Sequence, residues 1–164
     1  MRFRVSFLIT AACLLALSAP AWARRLSTKI EIDHATKIAS AQLKPGNYRL
    51  VADEPSLIEE TLSDLLQTDA QVLLLNGGTG ISSRDGTFEI VNRHLEKVLP
   101  GFGELFRMLS FHEIGAAAML SRATAGICAG RILVSLPGSP AAVRLAWEKL
   151  LQPELRHLVR EASR

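Results

Sequence analysis

Cysteine, aromatic residues and charge of one sign are all scarce in this chain. Its 164 residues include two cysteines, Cys13 and Cys128, which exclude a disulfide framework. Neither has a histidine pair beside it, so a structural zinc site is excluded too. Cys128 lies in an Ala/Gly-rich apolar stretch and reads as a small buried hydrophobe. Aromatic residues make up 5%, with one Tyr and two Trp, too few for a surface on which bases stack. The formal net charge is +3, and Arg2 and Arg4 contribute to it from an N-terminal stretch without acids. The remainder is close to neutral and lacks the clustered basic footprint of a nucleic-acid binder. The apolar run from Val5 to Leu17 is too short for a stable membrane span. What is there is ordinary: 48% hydrophobic and 21% charged residues, the composition of a globular chain long enough for about one domain.

Met1-Arg2-Phe3-Arg4, the apolar run after it and Ala21-Trp22-Ala23 follow the order of a secretory leader over residues 1–23: a positive start, an apolar core and a small-x-small cleavage pattern. Lys29 to Asp33 alternates polar and apolar, as a half-buried strand does, and Tyr48 to Ala52 is a second short strand candidate. From Pro55 a helical pattern sets Leu57, Ile58, Leu62, Leu65 and Leu66 on one face, with Pro55 suited to a first turn.

The centre of the chain carries the chemistry. Gln71 to Leu75 is a buried strand. It runs into N-G-G-T-G-I-S-S-R-D-G-T, Asn76 to Thr87, and a helix is expected from Phe88 to Val98. A strand, a glycine-rich turn and a helix bring bare backbone N–H groups up to a phosphate, and an aspartate at the far end can hold a metal ion or order a hydroxyl. The bland reading is a tight turn without a ligand. Pro100-Gly101-Phe102-Gly103 reads as a turn, followed by two short helices, Glu104 to Leu109 and His112 to Leu120, with Ser110 capping the second. A strand at Ile132–Leu136 ends in Pro137-Gly138-Ser139-Pro140, which opens a helix towards Leu151, and a basic, polar tail covers residues 154–164. Alternating strands and helices imply an α/β domain with a mostly parallel sheet, whose ligands sit off the carboxyl ends of its strands.

Four blocks in order make the resemblance specific: the glycine stretch, then P-G-F-G-E-L-F-R-M-L-S-F-H-E-I-G from Pro100, L-S-R-A-T-A-G from Leu120, and L-P-G-S-P-A-A-V-R-L-A-W-E from Leu136. They resemble the MoaB/Mog family of molybdenum-cofactor biosynthesis proteins over residues 48–153. The resemblance implies a three-layer α/β/α sandwich, assembled as a homotrimer or hexamer. It implies transfer of an adenylyl group from ATP to the terminal phosphate of molybdopterin, with Mg2+, in the cytoplasm. Carried over to this chain, it makes Asp53 and Asp85 the catalytic, magnesium-holding carboxylates. Gly77, Gly78, Thr79, Gly80, Ser121, Arg122, Pro137, Gly138 and Ser139 become the molybdopterin- and phosphate-binding set. Each has a structural alternative: a helix cap for either aspartate, and a surface or interface salt bridge for Arg122. Glu104 and Arg107 fit a subunit interface, and His112 and Glu113 a helix surface.

Residues 1–47 do not match. The family's opening strand and long helix are replaced by the leader-like stretch and, over 24–47, by a short strand and a Pro-Gly turn. The chain reads as two pieces joined near Asn47–Tyr48, with the first βα unit missing or replaced and Lys29–Asp33 as a substitute strand. Three functions compete: the adenylyltransferase, a non-catalytic molybdopterin-binding or oligomerisation module that has lost the nucleotide end, and an exported structural domain. A leader in use would place the protein in the periplasm or outside the cell.

Overall fold

The computed structural model describes residues 54–164 with their side chains and, ahead of them, five strands by their backbone. Those strands are β1 (Val5–Ala11), β2 (Ser27–Ile32), β3 (Thr36–Ile38), β4 (Ala41–Leu43) and β5 (Gly46–Ala52). Asp53, Cys13 and the remainder of the 1–23 stretch beyond β1 lie outside the described residues. There follow α1 (Pro55–Leu66), β6 (Val72–Asn76), α2 (Thr87–His94), β7 (Lys97–Val98) and α3 (Pro100–Ile114). A 3-10 segment, Gly115–Leu120, leads to β8 (Thr124–Cys128), β9 (Arg131–Leu136) and α4 (Pro140–Ala146). A π turn, Trp147–Leu151, joins α4 to α5 (Gln152–Ala162).

Seven strands form one sheet in the order β2-β5-β1-β6-β9-β8-β7. Its centre, β5-β1-β6-β9, is parallel, and β2, β8 and β7 are antiparallel additions at the two sides. Side chains alternate across a strand, and β6 shows it. Val72 and Leu74 enter one core with Phe106 of α3, Leu145 of α4 and Leu155 and Val159 of α5. Leu73 and Leu75 enter the other with Leu57, Ile58 and Leu62 of α1 and Ile90 and Val91 of α2. The sheet is thus sandwiched between two helical layers, the α/β/α arrangement expected.

The place of the first βα unit is filled differently. Strand β1 lies between β5 and β6 and pairs with both in parallel. Its sequence, VSFLITA, belongs to the apolar run that, by sequence alone, resembles the core of an export leader. An interior parallel strand and a leader core are both short apolar runs, and composition does not separate them. The strand expected as the substitute, β2, pairs antiparallel along the outer side of β5 instead. The junction proposed at Asn47–Tyr48 falls inside β5.

Three helical expectations need correction. Helix α2 ends at His94, because Leu95 turns extended and Lys97–Val98 pair with Gly126 and Ile127 of β8; sheet pairing overrides the local helical pattern. The turn after Pro100, the first short helix and the start of the second are one helix of 15 residues with Pro at its first turn; the rest of the second, Gly115–Leu120, is the separate 3-10 segment, and Ser110 is buried inside α3 rather than capping anything. Phe106, buried with Val72, Leu74 and Val134, holds its first half against the sheet, and Phe102 stacks on it one turn earlier, 6.4 Å away between ring centroids. Residues 154–164, a basic, polar tail by sequence, form most of α5. Pro153 opens that helix, and Leu155 and Val159, one turn apart, are buried.

Candidate ligand cleft

Strands β6 and β9 are parallel neighbours, so the loops that leave their carboxyl ends emerge side by side. Gly77 N–H donates to the Leu136 carbonyl at 2.9 Å, which joins the two loops at their base. A Cβ on Gly138 would lie 3.4 Å from Gly77 Cα, so the turns touch above it as well. Gly77 and Gly78 take φ of 106° and 63°, in the left-handed region that glycine enters at little cost. The Gly78 carbonyl then accepts Thr87 N–H at 3.0 Å, and the loop closes on the start of α2.

Inside that loop Asp85 and Ser82 form a reciprocal turn. Ser82 N–H donates to Asp85 Oδ2 at 2.9 Å, and Asp85 N–H donates to the Ser82 carbonyl at 2.9 Å. Asp85 Oδ1 has no hydrogen bond or ion pair among the described residues. Gly80 is what lets the carboxylate sit there: a Cβ at that position would be 2.7 Å from Asp85 Oδ2.

The loops enclose a cleft of about 540 Å³. Gly77, Gly78, Thr79, Gly80 and Asp85 form one wall, and Pro137, Gly138 and Ser139 another. Ser121 lines it as well. A further, apolar wall is formed by Ile114 of α3 and Leu120 of the 3-10 segment, both exposed, beside the largely buried Phe106 and Ser110. One side therefore offers amides and a carboxylate, the other a greasy surface, a combination suited to a flat ring carrying a phosphate. Magnesium is bound through one or two carboxylates plus substrate phosphates, and Asp85 is a fitting donor. Among the described residues no group of three or more His, Cys, Asp or Glu could hold a metal ion.

Arg122 does not line this cleft. It lies behind the glycine loop, with Nε 3.2 Å from the Thr79 carbonyl. Its Nη2 is 2.5 Å from the Gly80 carbonyl and 3.0 Å from that of Asp85. It is also paired with Glu89 and stacked at 4.8 Å over the Phe88 ring. The hydrogen bond from Arg122 holds the Glu89 carboxyl below the usual carboxylate range. Ser139 has a structural duty too, since its Oγ accepts Ala142 N–H at 3.2 Å as the cap of α4. His112, Glu113 and Glu104 are exposed on α3, and Arg107 reaches the Ser121 carbonyl at 3.4 Å. Burial pushes the free Cys128 thiol up, with Glu96 adding to the effect. Sequence reasoning missed the apolar wall and Glu89. The wall arises only when α3 continues through Ser110 as one helix, and nothing local marks Glu89 as a partner of Arg122.

A family model described as a probable molybdopterin-binding domain matches residues 34–157, most of the chain. The chain belongs to this family. Among its relatives, molybdenum cofactor biosynthesis protein B of Halalkalibacterium halodurans is 51% identical over 116 residues, 70% of this chain and 68% of that protein. The protein of the same name from Staphylococcus carnosus is 45% identical over 126 residues, 76% of this chain and 74% of that one. The crystal structure of the tungsten cofactor synthesizing protein MoaB from Pyrococcus furiosus superposes with a TM-score of 0.72 at 27% identity, covering 100% of this chain and 99% of that one. The MoaB/Mog assignment and its three-layer fold are thereby established for this member of the family, as is a place in molybdenum-cofactor biosynthesis.

Proposed function

We propose that the cleft between the two loops binds molybdopterin and that the protein adenylylates it. The observation that carries this reading is the convergence of the glycine loop, Asp85 and the Pro137–Ser139 turn on one cleft. The amides of the glycine loop receive the terminal phosphate, and the Phe106–Leu120 wall receives the ring system. An oxygen of that phosphate attacks the α-phosphorus of ATP, the new P–O–P bond forms, and pyrophosphate leaves with the electrons of the broken bond. Asp85 Oδ1 would hold magnesium, which when bound supplies positive charge for the phosphates. The protein's own part is to place the phosphate in line and to exclude water from one side of it. The reading puts the protein in the cytoplasm, where the precursor is made. Leu105, Met108 and Phe111, exposed at three-residue spacing on α3, fit a contact between copies of this chain in the trimer or hexamer the resemblance implies.

Pyrophosphate release that needs both ATP and molybdopterin tests the proposal. In Asp85→Asn turnover should vanish while calorimetric molybdopterin binding stays within a few-fold of the parent. Parental turnover in that variant would overturn the assignment. Binding without pyrophosphate release in the parent protein would favour a non-catalytic molybdopterin-binding module. That second reading is supported by one observation: Asp85 is the one acidic residue among the described residues that line the cleft.

A further inference from the structure

Arg122 was expected to meet a phosphate, yet its donors are directed at the protein. Nε faces the Thr79 carbonyl, Nη2 faces the Gly80 and Asp85 carbonyls, and Nη1 faces Glu89. Three of these acceptors are backbone oxygens of one loop, gathered by one rigid fork. A planar guanidinium can satisfy several fixed acceptors at once, which an ammonium cannot.

The consequence follows from peptide geometry. In a trans peptide the carbonyl and the next residue's N–H point in opposite directions within one plane, and every peptide among the described residues is trans. Holding the carbonyls of Thr79, Gly80 and Asp85 towards Arg122 therefore turns the N–H groups of Gly80, Ile81 and Gly86 away from it. Gly80 and Asp85 line the cleft and Arg122 does not, so the guanidinium works from the far side of the loop. Glu89, in the first turn of α2, anchors the fork through two contacts. Phe88 supports its plane from below, so the loop is tied to a helix that already belongs to the core.

We infer that Arg122 is a positioning residue: with Glu89 and Phe88 it forms a strut that sets the orientation of the loop's amides before any ligand arrives. The role in binding rests on the reading of the cleft as a molybdopterin site. The strut itself does not, and it is tested without ligand. Hydrogen exchange of the ligand-free protein, resolved over residues 79–87, should show roughly tenfold faster opening in Arg122→Ala than in the parent, the scale of a local unfolding event made easier. Arg122→Lys keeps the charge and should not restore protection, and Glu89→Gln should fall between the parent and Arg122→Ala. Molybdopterin affinity should weaken in the same order, with the salt dependence of binding unchanged, because no phosphate contact is removed.

Unchanged loop exchange in Arg122→Ala, or full protection in Arg122→Lys, would overturn the strut. Weaker binding with a shallower salt dependence and a loop as protected as the parent's would make Arg122 a direct phosphate ligand instead. Exchange that responds as expected in a protein that never binds molybdopterin leaves the strut standing and removes the proposed function.

Discussion

Asp85 divides its two carboxylate oxygens between structure and the cleft. Oδ2 closes the turn with Ser82 N–H, and Oδ1 has no partner among the described residues. The side chain can act on a ligand because half of it is already fixed, so little rotamer freedom remains to be lost on binding. Gly80 is its complement. In Gly80→Ala the added methyl must displace the carboxylate from 2.7 Å, and we expect molybdopterin affinity to fall by about tenfold, near 1.4 kcal/mol, with the melting temperature almost unchanged. Calorimetric titration beside a thermal melt checks this. An unaltered Kd would mean that the Asp85 position is irrelevant to binding.

At the scale of elements, the layer formed by α1 and α2 is linked by charge as well as by its apolar core. Glu59 on α1 contacts Arg93 at 3.2 Å and His94 at 2.5 Å on α2. Partial burial pushes the Glu59 carboxyl up, but hydrogen bonds from His94 and Arg93 outweigh it and leave the group below its ordinary value. Glu89 is lowered as well, by Arg122. A carboxylate lowered in the folded state contributes stability above its unfolded pKa, near ~4.3, and that contribution is lost as pH falls through the folded value. The melting temperature should therefore drop below about pH 4, and a Glu59→Gln, Glu89→Gln double variant should drop less steeply; both groups are exposed enough for the effect to be small. Helix α5 makes a larger prediction. Leu155 is buried against the sheet, so Leu155→Ala should cost about 2–5 kcal/mol, read from the shift of a urea unfolding curve. An unshifted curve would return residues 154–164 to the status of a tail.

The molecule as a whole combines a cleft at one end of its parallel strands with an apolar face on α3. Phe111 is 57% exposed and Met108 51%, and side chains of this size at helical spacing make a coherent patch rather than scattered exposure. If that face joins copies of the chain, Met108→Glu with Phe111→Glu should yield a monomer by sedimentation velocity, the folded protomer being preserved by circular dichroism. An unchanged assembly would locate the contact elsewhere. Among the described residues no helix is long and apolar enough to cross a membrane.

The amino-acid sequence by itself determined the local geometry of the site and the order of the layers. The glycines at 77, 78 and 80, Asp85 at the far end of their loop, the apolar strands β6 and β9 and the first helix were legible, because each rests on backbone conformation or on a short local pattern. Only the tertiary structure decided what depends on partners distant in the chain. The pairing of Lys97–Val98 with β8 shortened α2. The core beneath Phe106 and Ser110 fused the first expected helix and the start of the second into α3 and so raised the apolar wall of the cleft. The pairing of β1 with β5 and β6 placed an ambiguous apolar run inside the sheet. Arg122 shows the division most clearly. Its charge and position beside the family block suggested a phosphate ligand, and what its five donors meet was decided by carbonyls some 40 residues earlier in the chain, which no local pattern brings together.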